Sequence, residues 1–133
     1  MTHRILHPEG WAPARGYANG ISAQGRTISV AGQIGWDARQ RLVGGDLVSQ
    51  ARQALVNIVA ILAVDGARPE HLVRLTWYVT DRAAYLAAGK PLGAAYREVI
   101  GRHFPAMTAV EVSSLMDPDA VVEIEATAIV PES

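Results

Sequence analysis

The sequence contains no cysteine. That excludes a disulfide framework, thiolate metal ligands and a cysteine nucleophile together, and it fits a reducing compartment. Charge is also sparse and unbiased. Charged residues are 19% of the chain, with 12 basic against 13 acidic side chains and a net charge of -1. A protein that binds the phosphate backbone carries a basic block or stripe. None is present, so no nucleic-acid partner is expected. Long apolar runs are missing as well. The longest lies around residues 58–64, well short of the ~20 residues that span a bilayer. Residues 1–17 lack the apolar segment of a secretory leader. The expectation is a soluble cytoplasmic protein with no membrane partner. No tandem repeat, low-complexity stretch or linker interrupts the chain.

What is present fits a single domain over residues 1–133. Half of the 133 residues are hydrophobic, enough for a self-sufficient core at this length. After an irregular lead-in with a short strand at residues 4–6, residues 16–23 are extended. Gln24, Gly25 and Arg26 form a turn candidate. Residues 27–34 alternate, with Ile28, Val30 and Ile34 on one side and Ser29, Ala31 and Gln33 on the other. Two such runs joined by a short glycine-containing turn predict a hairpin. Gly32 stands where an apolar side chain would continue the pattern, which marks a bulge or a close backbone approach.

Asp46 is a good N-cap for a helix whose apolar face is Leu47, Ala51, Ala54, Leu55, Ile58, Ile61 and Leu62, stopped by Gly66. Residues 72–79 read as a strand. Asp81 opens a second helix, which Gly89 and Pro91 should kink or split. Two strands follow, over residues 108–113 and 121–130. In the last, Val122, Ile124, Ala126, Ala128 and Val130 share one face, while Glu123, Glu125, Thr127 and Ile129 share the other. The order ββαβαββ predicts an α+β domain, a mixed sheet with two helices on one face. The opposite sheet face must then be solvated or covered by another subunit.

Few constellations stand out. The histidines, His3, His7, His71 and His103, form no metal-binding spacing, so no metal is expected. No GxSxG elbow or phosphate loop occurs. Arg52, Arg68, Arg74, Arg97 and Arg102 are scattered, and their simplest reading is solvated rim positions. Trp11, Trp36 and Trp77 could stack a planar ligand but suit a core or an interface equally. Glu123 and Glu125 lie about 7 Å apart on one strand face. They could orient a water or accept a proton, or simply show the strand's polar side to solvent.

Motifs taken in order are more specific: YANG at 17–20, VAGQI at 30–34, QARQALVNI at 50–58 and TWYVTD at 76–81. They are followed by Tyr96, FPAMTAVEV at 104–112 and VEIEA at 122–126. The series resembles the Rid family of reactive intermediate deaminases, also called YjgF proteins and, in older descriptions, L-PSP endoribonucleases. It runs from about residue 17 to residue 130. The resemblance implies a chorismate-mutase-like fold and a homotrimer with a cleft at each subunit interface. It also implies hydrolysis of small imines such as 2-aminoacrylate to a 2-oxo acid and ammonia, without a cofactor.

Residue by residue, the implied transfer is uneven. Tyr17 matches the cleft tyrosine, and Glu123 the glutamate that positions the attacking water. Gly32 matches the strand glycine, but the serine before it is Ala31 here. The cleft asparagine falls at Gly93. The arginine that grips the substrate carboxylate falls at Met107, and a thioether cannot imitate that bidentate contact. Its loss is worth about 1.5–3 kcal/mol if uncompensated. Ala31, Met107 and Ala109 would give the small-molecule cleft apolar walls and suit a less anionic ligand, unless Arg15, Arg102 or His103 supplies a replacement cation. Two functions stay open: an imine deaminase of altered range, and a trimer that keeps the fold for ligand binding or interaction alone.

Overall fold

Residues 3–132 are described by the structure, a computed structural model. The periodic apolar residues after Asp46 form helix α1 (Leu47–Val64), whose buried face is Gln50, Ala51, Ala54, Leu55, Ile58 and Leu62. Asp46 caps it by accepting from the Ser49 amide at 3.0 Å. Gly66, at φ 75°, takes the left-handed turn that ends it. Ile61, counted on the apolar face, is instead exposed. Among the described residues, α1 is the one helix long and apolar enough, at a mean hydropathy of 1.6, to cross a membrane. That property was not evident from the short run at residues 58–64. In this fold Leu55, Ile58 and Leu62 are fully enclosed in the core.

The core sheet has four strands in the order β3 (Arg26–Gln33), β6 (Val122–Val130), β4 (Leu72–Val79), β5 (Ala106–Glu111). Only β4 and β5 run parallel; β6 is antiparallel to both β3 and β4. In β6 the expected alternation appears, with Val122, Ile124, Ala126 and Ala128 buried toward α1. The other face presents Ser29, Arg74, Thr108 and Val110, all exposed.

The hairpin expected between residues 16–23 and 27–34 does not form. Strand β2 (Gly20–Ser22) pairs with β1 (Arg4–Leu6) in a separate two-stranded sheet, and β3 pairs with β6. The cause is the turn. Gly25, at φ 148°, packs so tightly on the end of β6 that an added Cβ would lie 2.1 Å from the Val130 carbonyl oxygen. The chain therefore bends between sheets there, and Val30 is buried by joining β6. Strand β5 also begins two residues before the expected residue 108, which puts Met107 within the ladder.

The second helix splits, as its glycine and proline required, into α2 (Arg82–Ala87) and α3 (Gly89–Val99). Pro91 is the third residue of α3, where an amide would have no intrahelical partner anyway. Asp81 caps α2 through the Ala84 amide. Leu92 and Tyr96 of α3 join the core cluster with α1.

The glutamines and asparagine of QARQALVNI have definite work. Gln50 is fully buried. Its amide donates to the Gly44 and Asp119 carbonyls at 2.8 and 3.1 Å and accepts from the Val121 amide at 2.8 Å. It thus fixes the start of β6, the strand that carries Glu123. Asn57 donates to the Trp36 carbonyl at 2.8 Å and holds the segment leaving β3.

Candidate active site

Met107 pairs with Leu75, and Ala109 with Trp77, across the parallel β4–β5 ladder. Paired residues share a sheet face, so Met107 and Ala109 point toward the helices. An open pocket of about 400 Å³ lies there. Its walls are Trp77, Tyr85, Leu92, Phe104 and Met107, and Gly93 lines it from α3. A smaller recess of about 230 Å³ adjoins it and adds Tyr17 and Ala109. Tyr17 reaches this place because Ala18 forms a parallel bridge to Ala106, with its amide 3.0 Å from the Pro105 carbonyl. The YANG segment therefore runs beside the start of β5.

The pocket is aromatic but not basic in the proton-accepting sense. Trp77 and Tyr85 meet edge to face at 6.1 Å, and Tyr96 stacks on Phe104 at 5.3 Å. Burial pushes the Tyr85 and Tyr96 hydroxyls above the ordinary tyrosine range. Tyr96 donates to the His103 carbonyl at 2.6 Å. Both stay neutral at physiological pH.

Nor is the pocket free of cations. Arg15 and Arg97 both line it. The other two candidate replacements lie elsewhere: Arg102 and His103 border a different recess, and His103 Nε2 sits 2.7 Å from the Leu72 carbonyl. The sequence alone places Arg97 among the solvated helix or rim positions. The missed signal is its place four residues after Gly93, on the same helical face. A Cβ at Gly93 would lie 3.2 Å from Arg97 Nη1, so the absent side chain makes room for the guanidinium.

Glu123 occupies the other side of the sheet. It pairs with Tyr78 across β4–β6, three residues along from Leu75 and therefore on the opposite face. Its carboxylate lies directly over Gly32, where a Cβ would come within 2.0 Å of Oε2. The β3–β6 register shifts between Val30 and Gln33, so Gly32 provides both the irregularity and the close approach its place in the strand suggested. Exposed Ala31 precedes it, its carbonyl accepting from Gln33 Nε2 at 3.1 Å. Glu123 and Gly32 border a recess of about 610 Å³ with Trp36 and Asp117. The Trp36 indole donates to Asp117 at 3.2 Å.

The two glutamates differ in circumstance. Glu125 accepts a hydrogen bond from the Tyr78 hydroxyl, and that bond holds the phenol's pKa above its usual value. Among the described residues Glu123 has no side-chain hydrogen bond or ion pair. It is the carboxylate left available to a water molecule. No group of three or more His, Asp or Glu among the described residues is placed to hold a metal ion.

A family model described as Endoribonuclease L-PSP matches residues 9–130. The chain belongs to that family, the Rid or YjgF proteins. A RutC family protein of Pyrococcus horikoshii is 37% identical over 117 residues, 87% of this chain and 88% of that one. A Capra hircus protein named 2-iminobutanoate/2-iminopropanoate deaminase is 36% identical over 105 residues, 78% of this chain and 73% of that one. Among solved structures, the conserved Rid family protein YyfB of Yersinia pestis superposes with a TM-score of 0.86 at 36% identity, covering 98% of this chain and 100% of that one.

The site residues named from the Rid resemblance thus fall into two groups. Tyr17, Gly93, Met107 and Ala109 gather at the pocket beside β5. Gly32 and Glu123, with Ala31 beside them, gather at the β3–β6 recess. Within one chain the groups do not meet. They lie on opposite faces, and β4 separates their strands, β5 and β6 being about 10 Å apart. Arg97, Tyr85 and Leu92 are among the pocket residues that the Rid motifs did not mark.

Proposed function

We propose that this Rid protein is an imine deaminase that works as a homotrimer, with each site shared between two copies. The observation that carries the proposal is the division of the site. A carboxylate without a partner among the described residues faces outward on one side of the sheet, and a lined pocket opens on the other. A single chain cannot use both on one small substrate, but two copies can when the Glu123 face of one packs against the pocket side of the next. Relatives named as imine deaminases, the Capra hircus protein among them, support the same reading.

In this reading the imine carbon sits between the Met107 pocket of one copy and Glu123 of a neighbour. Glu123 accepts a proton from water as its oxygen adds to the C=N carbon, and returns it to the nitrogen to give a carbinolamine; the carboxylate then takes the carbinolamine hydroxyl proton and passes it to the nitrogen. The C–N bond breaks, ammonia leaves, and the carbonyl compound remains. Tyr17 hydrogen-bonds the substrate. A positioned carboxylate of this kind contributes about 10²- to 10⁴-fold.

Met107 gives the carboxylate of 2-aminoacrylate no charged partner at the family's usual place. The purified protein is expected to release ammonia from 2-aminoacrylate only slowly, and faster from imines that do not depend on that contact. Ammonia release measured over a panel of imines tests this. Failure on every member would overturn the deaminase reading in favour of a binding or interaction trimer.

A further inference from the structure

Arg15 and Arg97 have no bound carboxylate among the described residues, although four other arginines, Arg26, Arg41, Arg52 and Arg68, do. Neighbouring Glu98 is already taken by Arg52 at 2.6 Å, so it does not compete for Arg97. Both arginines line the pocket with Trp77, Tyr85, Leu92 and Met107, and Arg97 Nη1 lies beside Gly93 in its wall. Its volume of about 400 Å³ is that of a site for a ligand with a sizeable apolar body. A three-carbon acid would leave most of it to water. A guanidinium and an aromatic wall together select a carboxylate that carries a flat or bulky apolar group.

We propose that Arg97, seated over Gly93 and assisted by Arg15, grips the substrate carboxylate from helix α3 in place of an arginine at position 107, and that the substrates are 2-imino acids with a bulky apolar or aromatic side chain. This rests on the deaminase reading for its chemistry, but the pocket's binding preference stands apart from it. Moving the cation from strand to helix vacates the space beside β5. Met107 then becomes an adaptable apolar wall for the side chain.

Binding is measured first, by calorimetry with three probes: 3-phenylpropanoate, its neutral isostere 3-phenylpropanamide, and propanoate. The acid with the ring is expected to bind at least about tenfold more tightly than either other probe. Arg97→Gln should remove about tenfold from 3-phenylpropanoate and leave 3-phenylpropanamide unchanged. Arg15→Gln should do the same more weakly. Equal binding of acid and amide, no binding of any probe, or indifference to Arg97→Gln overturns the proposal. Turnover is measured second, with imines generated in place from L-phenylalanine and L-alanine by an amino-acid oxidase. Faster hydrolysis of the phenylalanine-derived imine supports the proposal. Preference for the alanine-derived imine overturns it while leaving the deaminase reading intact. The expected binding pattern without any turnover upholds the pocket assignment and overturns the deaminase reading.

Discussion

Glu123→Gln should lower imine hydrolysis by about two to four decades and leave the fold unchanged. The amide keeps the size and one acceptor of the carboxylate but cannot take a proton from water. Glu123 has no hydrogen-bond or ion-pair partner among the described residues, so no structural contact is lost with the charge. Glu125→Gln is the internal control. Glu125 is engaged by the Tyr78 hydroxyl, a bond that an amide oxygen can still accept. It should change the rate by less than about tenfold, well short of the loss expected for a group that takes a proton from water. Steady-state ammonia release, with circular dichroism of each variant, checks the pair. Equal effects at both positions would remove the special role of Glu123.

Gly32→Ala tests the same carboxylate through its support. A single methyl at position 32 would occupy a point 2.0 Å from Glu123 Oε2. The obstructing atoms belong to the far end of a flexible side chain, so the glutamate can swing aside and the fold survives. Stability should change by less than about 1 kcal/mol. The carboxylate, however, must move by an ångström or more. A misplacement of ~1 Å at a reacting centre costs about 100-fold. Activity should therefore fall by that order while the thermal midpoint barely moves. A variant that loses both together would point to a glycine needed for the β3–β6 ladder alone.

The parts of this protein that were legible in the sequence are those set by short-range physics. Asp46, Gly66 and the residues buried between them announced α1, because capping and a period of 3.6 act within a few residues. The alternation of Val122 through Val130 announced a half-buried strand for the same reason. The β2–β3 hairpin failed because the decisive contact is long-range. Gly25 packs on Val130, and nothing near Gly25 reveals that the last strand will lie there. Gln50 is a similar case. It stood only as part of the QARQALVNI motif, yet its amide serves groups at Gly44, Asp119 and Val121 that only the tertiary fold brings together.

The candidate site divides along the same line. Gly32 was marked as a place of close approach, and Glu123 proves to be what approaches it. Met107 was marked by the family motif, but strand register alone shows that it faces Leu75 and the helices, away from Glu123. Arg97 looked like one arginine among many. Only the fold shows that it lines the Met107 pocket, one helical turn on from Gly93.

The claim that one site draws Glu123 from one copy and the Met107 pocket from another is open to a direct test by mixing. Glu123→Gln removes the carboxylate, and Gly93→Trp fills the pocket. Each homogeneous protein should be inactive and should retain a mass close to three times the 14.2 kDa chain. The two are then unfolded together in equal amounts and refolded, and ammonia release is measured on the imine that wild type turns over best. If sites are shared, about a quarter of the interfaces pair an intact pocket with an intact Glu123, and about a quarter of wild-type activity should return. If mixed assemblies form and stay inactive, each chain holds its own site, and the shared-site account is contradicted.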